Sequence, residues 1–235
     1  GSCGVKPVEV RVLFRAQTMN KTIAIINDSE VTTGSLPNDI ISINAWEVNW
    51  DLLSFDDSYI VLGGHMGSYD DEKFSYLQAE KLWLKKAINE DTKILGICLG
   101  SQLIADAMGG KAYLSEKIEF GFKNLDFLIE DTLFEDFKNT KVFSWHRDTF
   151  DIPPGATLVA KTEFPQIYII KNTTALQFHP EIKTDLFKIW YDSDLSKQEL
   201  ESYDVQSEVQ YLNNNSQQLE HSMINFYSKW IKSKL

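Results

Sequence analysis

One of the two cysteines of this 235-residue chain stands between glycines, in Gly96-Ile97-Cys98-Leu99-Gly100. The apolar run "TKILGI" (92–97) leads into it, and "SQLIADAM" (101–108) follows with helical periodicity. Gly-x-Cys-x-Gly at a strand-to-helix handover is the thiol form of a nucleophile elbow. The nucleophile of such a turn is strained, and side chains in place of the glycines would clash across it. The turn holds the sulfur above the C-terminal edge of the sheet, where open α/β sheets bind ligands. It also sets the sulfur at a helix N-terminus, whose dipole favours the reactive thiolate. The Leu99 N–H then points at a developing oxyanion. The bland alternative is a buried core cysteine beside packing glycines. The elbow needs a base, an orienting group and a second oxyanion donor.

The segment "TALQFHPEI" (174–182) offers the first two. His179 and Glu181 are two apart after an apolar strand, and at period two they point to the same side. Pro180 between them favours an extended turn. His179 then serves Cys98, while Glu181 orients the imidazole and stabilises its charged form. The second oxyanion donor must come from another strand end, and "VLGGHMG" (61–67) fits. Gly63 and Gly64 let a ligand approach the backbone closely, and the Gly64 N–H is the candidate.

These residues need a particular scaffold. "TIAII" (22–26), "SYIVLGG" (58–64) and "TKILGI" are short, continuously apolar strands. "EKFSYLQAEKLWLKKAIN" (72–89) is amphipathic, with Phe74, Leu77, Leu84 and Ile88 at helical spacing and Lys81, Lys85 and Lys86 solvated. Helices alternating with such strands predict an α/β fold, with an open, mostly parallel central sheet covered on both faces. After Gly110 come short β-rich runs: "KAYLS", "KNLDFLI", "KVFSWH", "ATLVAK", "QIYII" and "TALQF". They predict an antiparallel or mixed extension of the sheet. "QLEHSMINFYSKWI" places Leu219, Met223, Phe226, Tyr227 and Trp230 on one stripe, a C-terminal helix docked on the core.

Composition bounds the rest. With 43% hydrophobic residues the chain suits a single domain over 19–235, and only the polar patch 213–218 suggests disorder. Residues 1–18, ahead of Met19, read as a non-native or disordered tail, with "VEVRVLF" as an alternative strand. The net charge of −11 disfavours nucleic acid and anionic membranes as partners. No apolar run reaches the roughly 18 residues of a membrane span, and no secretory signal is visible. Two cysteines, Cys3 and Cys98, make neither a disulfide framework nor a metal cage, which suits a reducing cytoplasm. No nucleotide-binding loop occurs, so neither ATP nor any other cofactor is expected.

"GICLGSQ", "QFHPE" and "LGGHMG", in this order and spacing, resemble the class I glutamine amidotransferase domain, with its flavodoxin-like core. The likeness runs from about Thr22 to the C-terminus. "FSWHRDTFDIPPGATLVAKT" (143–162) resembles a segment of the free-standing, GMP-synthase-like members. The resemblance implies that Cys98 attacks a γ-glutamyl amide to give a thioester, with His179 as acid/base and Glu181 as orienter. It implies an oxyanion hole from Leu99 and Gly64, and Gln102 beside the substrate amide. The family loop usually reads Gly-Gly-Pro. Here His65 replaces the proline, freeing a backbone N–H and adding an imidazole that either meets substrate or lies on the loop surface. His146 either touches substrate or packs against Trp145, Asp148 reads as a turn residue, and His221 as solvated. The expected activity is hydrolysis of γ-glutamyl peptides such as glutathione, or of glutamine. The alternatives are an ammonia-supplying glutaminase working with a separate synthetase subunit, and a non-catalytic module of the same fold.

Overall fold

The computed structural model describes residues 21–234. The expected tail, the "VEVRVLF" run and Cys3 lie outside the described residues. The described chain runs β1 (Thr22–Ile26), β2 (Ile41–Asn44), β3 (Ser58–Val61), α1 (Tyr76–Asn89), β4 (Ile94–Ile97), α2 (Leu99–Ala107) and β5 (Lys111–Lys123). It continues through β6 (Asp126–Phe127), α3 (Glu135–Lys138), β7 (Val142–Asp151), β8 (Thr157–Lys161), β9 (Pro165–Ile170) and β10 (Thr173–Leu176). It closes with α4 (Thr184–Tyr191), α5 (Asp194–Glu199) and α6 (Val205–Trp230).

Eight strands form one sheet in the order β2-β1-β3-β4-β10-β9-β8-β6. The first five are mutually parallel; β9, β8 and β6 extend them antiparallel. All residues of β3 and β4 are buried. Their alternate side chains feed two cores, which explains why they read as unbroken apolar runs. Tyr59 and Val61 pack with Leu77, Leu84 and Leu103 of α1 and α2. Ile60, Leu62, Leu95 and Ile97 pack with Phe137, Met223, Phe226 and Trp230 of α3 and α6.

Four expectations need correction. "KAYLS" and "KVFSWH" do not extend the sheet; β5 and β7 form a separate antiparallel ribbon. That ribbon packs Phe120, Phe122 and Phe143 against Leu186 and Phe187 of α4 and Leu212 and Leu219 of α6, a third core that takes it off the sheet. The helix expected from Glu72 starts at Tyr76, because Asp70 turns the chain first. Its carboxylate accepts from the Gly67 N–H at 2.9 Å, and its carbonyl from the Lys73 and Phe74 amides. Lys81 is not solvated but donates to the Ser68 carbonyl at 2.7 Å and to Asp71 at 2.9 Å. The polar patch 213–218 is helical, in the middle of α6, where buried Leu212 and Leu219 flank it. β2 escapes sequence detection: as the sheet's edge strand it is half exposed and lacks a continuous apolar run.

Candidate active site

Three loops meet at the C-terminal edge of the parallel strands: the one after β3, the β4–α2 junction, and the one after β10. Cys98 is the residue between β4 and α2, with φ 50° and ψ −108°. Its amide donates to the Leu176 carbonyl of β10 at 2.8 Å, and its own carbonyl accepts from the Ser101 amide at 2.9 Å and Oγ at 2.6 Å. These bonds hold a backbone shape that a side chain disfavours. The flanking glycines let the turn close. A Cβ on Gly96 would lie 2.8 Å from the Gly100 carbonyl, and one on Gly100 would lie 2.1 Å from the Val61 carbonyl. Helix α2 therefore stands directly on β3 and β4, with Leu99 as its first residue. Amides of a first helical turn have no acceptor within the helix.

His179 faces Cys98. A Cβ on Gly63 would sit 3.1 Å from the imidazole Cε1 and 3.4 Å from the Cys98 Cβ, so both close around this glycine. The His179 amide donates to the Phe143 carbonyl of β7 at 2.8 Å, fixing the backbone. Its Nδ1 is 2.8 Å from Oε1 of Glu181, whose side chain is fully buried. Burial alone would lower the His179 pKa. The charge of the Cys98 sulfur, then that of Glu181, and hydrogen bonds to both outweigh burial and push it up to about 10. The protonated imidazole is thus favoured beside the sulfur. Glu181 is held in turn by the loop after β1. The Ser35 amide donates to its carbonyl at 3.0 Å, and Gly34, at φ 53°, passes where a Cβ would meet that carbonyl at 2.1 Å.

Gly64 lies beside Leu99, whose Cδ2 would be 3.1 Å from a Cβ placed on it. No group of three or more His, Cys, Asp or Glu able to hold a metal ion occurs among the described residues.

Residues 20–190 match the family model described as glutamine amidotransferase class-I. The chain belongs to the class I glutamine amidotransferase family. A glutamine-hydrolyzing GMP synthase of Brachyspira hyodysenteriae is 39% identical over 95 residues, which are 38% of this chain and 18% of that protein. A subunit of the glutamine-hydrolyzing GMP synthase of Thermococcus kodakarensis is 37% identical over 95 residues, 38% of this chain and 50% of that one. The chain thus spans half or less of the length of these relatives. Among solved structures, a glutamine amidotransferase of Thermotoga maritima superposes with a TM-score of 0.81 at 23% identity, covering 92% of this chain and 100% of that one. A glutamine amidotransferase of Methylobacillus flagellatus gives 0.76 at 20%, covering 93% and 96%. At these identities the structural likeness is one of fold.

Other residues singled out in this amidotransferase domain have partners of their own. The His65 amide, freed by the missing proline, donates to Asp28 Oδ2 at 3.1 Å, and the ring Nδ1 lies 2.6 Å from the same oxygen. The side chain is 69% exposed and tied to Asp28. His146 does not share a face with Trp145, since neighbours in a strand point opposite ways. It is buried, with Nδ1 3.0 Å from the Asp148 carbonyl and Nε2 3.0 Å from Glu119. Glu119 also accepts from Thr162 at 2.5 Å and Gln166 at 2.6 Å. Burial would raise the Glu119 carboxyl, but its hydrogen bonds to His146 and Thr162 hold it below the usual range. Asp148 lies within β7 and not in a turn; its carboxylate accepts from the Tyr69 hydroxyl at 2.9 Å. His221 is exposed, as expected. Gln102 is buried, its amide nitrogen 3.2 Å from the Asp148 carbonyl.

Sequence reasoning misses two neighbours of the site. Trp190 of α4 covers the His179 ring, with centroids 4.7 Å apart; no local pattern marks it. Gln177 is legible in principle, because it precedes His179 by two and so shares its side. Its amide nitrogen is 3.7 Å from the Cys98 sulfur.

Proposed function

We propose that this chain is the glutamine-hydrolysing, ammonia-supplying subunit of a two-component amidotransferase. The observation that carries it is the strained Cys98 on the elbow, facing a histidine whose Nδ1 lies 2.8 Å from the buried Glu181 carboxylate. Cys98 attacks the γ-carbonyl of glutamine as the thiolate. The Leu99 and Gly64 N–H groups hold the oxyanion; loss of one such donor costs about 10²–10³ in rate. His179 gives its proton to the departing nitrogen, which leaves as ammonia with a γ-glutamyl thioester on Cys98. The now neutral imidazole takes a proton from water, whose hydroxyl attacks the thioester. Glutamate leaves and the ion pair re-forms. Gly63 has no side chain, and a Cβ there would crowd both His179 and Cys98.

Support for a separate acceptor comes from the relatives: those from Thermococcus kodakarensis and Pyrococcus abyssi are single subunits of GMP synthases. A synthetase subunit that consumes the ammonia is the corresponding partner. The expectation of γ-glutamyl peptides such as glutathione rests partly on His65 in place of proline. That argument loses its footing, since His65 is bonded to Asp28, and the matched relatives are named for glutamine hydrolysis. A non-catalytic module would have no use for an assembled Cys-His-Glu set.

The test pairs turnover with labelling. Purified protein and its Cys98→Ala variant are incubated with glutamine, and separately with glutathione, and ammonia, glutamate and Cys-Gly are quantified. A diazoketone analogue of glutamine reports an active thiol even where turnover awaits a partner. The expected result is Cys98-dependent ammonia release or stoichiometric labelling of Cys98. Cys-Gly release without either would make the protein a γ-glutamyl peptidase instead. Silence in every arm would sink the catalytic reading.

A further inference from the structure

Behind the Cys98 sulfur two buried glutamine side chains form a relay. The Gln102 amide nitrogen lies 3.2 Å from the Asp148 carbonyl and 3.4 Å from Oε1 of Gln177. The Gln177 amide nitrogen lies 3.7 Å from Sγ of Cys98, a hydrogen-bond length for the larger sulfur atom. The direction of this relay is determined from its far end. A backbone carbonyl only accepts, so the Gln102 atom facing Asp148 is the NH₂ group. That group donates onward to Gln177, so the Gln177 atom facing it is the oxygen. The remaining Gln177 atom, which faces the sulfur, is therefore NH₂. The carbonyl at the end is itself pinned, because His146 Nδ1 lies 3.0 Å from it and His146 is held by Glu119. Gln177 is anchored at its backbone as well, its amide donating to the Gln166 carbonyl at 2.8 Å.

From this geometry we infer that Gln177 is a positioning residue for the nucleophile: its amide donates to the Cys98 thiolate, with Gln102 and the Asp148 carbonyl locking it in the donating orientation. The inference rests on the reading of Cys98 as the nucleophile. It gives that sulfur a second partner beside His179. An N–H donor favours the charged form of an acceptor, so the amide stabilises thiolate over thiol. An amide does this without titrating itself, so the contribution is constant across the working pH range. It also restrains the sulfur. The buried network of His146, Glu119, Thr162 and Gln166 acquires a role by the same logic: it supports the carbonyl that sets the relay.

The titratable groups around the sulfur are His179 with Glu181 beyond it, Asp28 with His65 across the glycine loop, and Asp148 with Tyr69. None of these is altered by a change at Gln177. The test is the pH profile of Cys98 alkylation by iodoacetamide, in a Cys3→Ser background so that one thiol remains. Gln177→Met keeps the volume and removes the donor. Its acid midpoint should rise by about one pH unit, an alkylation rate about tenfold lower below the midpoint. Gln177→Glu should move it further up, because it sets a carboxylate against the thiolate. Gln102→Met, which frees Gln177 to rotate, should shift the midpoint in the same direction by less. With thermal unfolding showing intact folds, a Gln177→Met profile superimposable on the parent overturns the inference. If Gln177→Met does not fold, an unshifted Gln102→Met profile overturns it. The profile is read without glutamine, so it stands apart from turnover. A parent whose Cys98 is unreactive below pH 8 would instead bring down the nucleophile reading itself.

Discussion

Cys98 has a backbone shape that glycine adopts without strain, and this separates what the turn costs in stability from how the side chain packs. Strain of this kind costs on the order of 1–3 kcal/mol, while a glycine loses more chain entropy on folding, about 0.5–1 kcal/mol. Cys98→Gly should therefore be more stable than Cys98→Ala by about 1 kcal/mol, although both lack the thiol. Urea unfolding of the two variants checks this, and a Cys98→Gly midpoint below that of Cys98→Ala would mean that the turn is unstrained. The second expectation concerns His179. Burial depresses its pKa, and the Cys98 charge is the foremost of the influences that raise it to about 10. In Cys98→Ala that influence vanishes, so the ring should titrate well below its parent value. NMR of the imidazole C–H resonances, assigned with His179→Gln, reads the shift. An unchanged midpoint would show that Glu181 alone holds the proton.

At the scale of elements, the candidate site depends on how closely α2 is laid against the strands it follows. A Cβ on Gly100 would stand 2.1 Å from the Val61 carbonyl, and backbone atoms do not yield as a flexible side chain does. Gly100→Ala should thus push α2 off β3 and cost more than about 2 kcal/mol, well above an ordinary helix-surface change. It should also lower hydrolysis by moving the Leu99 amide. Denaturant unfolding and a glutaminase assay on the same preparation check both. Such glycines show what a sequence discloses. β1, β3 and β4 are legible because they are buried on both faces, and the elbow because its glycines and cysteine are adjacent. His179 and Glu181 are legible because two residues of extended chain bring them to one side. β2 is not, being a half-exposed edge. The β5–β7 ribbon is not, because its partner choice depends on a third core made with α4 and α6. Trp190 and Asp28 reach the site from other elements, so no spacing announces them. The stretch 213–218 suggests disorder by composition. Packing of Leu212 and Leu219 on either side makes it helix, as tertiary contacts override weak local preference.

At the scale of the whole molecule, several buried ionisable groups make stability depend on pH in a direction that can be worked out. Glu80 of α1 is fully buried under the loop after β1, with Asn27 Nδ2 donating to it at 3.2 Å. Burial outweighs that hydrogen bond and raises its pKa to about 8. The folded state then binds a proton that the unfolded chain has released between about pH 4.5 and pH 8, so stability falls as pH rises through this window. His179, raised to about 10, adds the same sign: its contribution is complete below the ordinary histidine pKa and is lost as pH rises toward 10. Lys93 opposes them at the alkaline end. Burial against Trp230, near the end of α6, lowers its pKa to about 8. The unfolded chain then binds more protons above about pH 8, and stability gains with pH there. On the acid side, burial would raise the carboxyls of Asp28 and Glu119, but their hydrogen bonds outweigh it and hold both below the usual range. Their contribution disappears as they protonate. The sum is a maximum on the mildly acidic side of neutrality, a decline from there to about pH 8, and a flatter course beyond it. The net charge of −11 at pH 7 deepens the decline, since self-repulsion grows as protons leave. Glu80→Gln isolates one of the two contributors to that decline. It keeps an oxygen for Asn27 and removes the titration, so urea midpoints between about pH 6 and pH 8 should lose about half of their slope, a difference of roughly 2 kcal/mol across the window, with His179 supplying the rest. A parent equally stable at both ends of that window, or a variant with the parent's slope, would show that Glu80 is ionised in the folded protein.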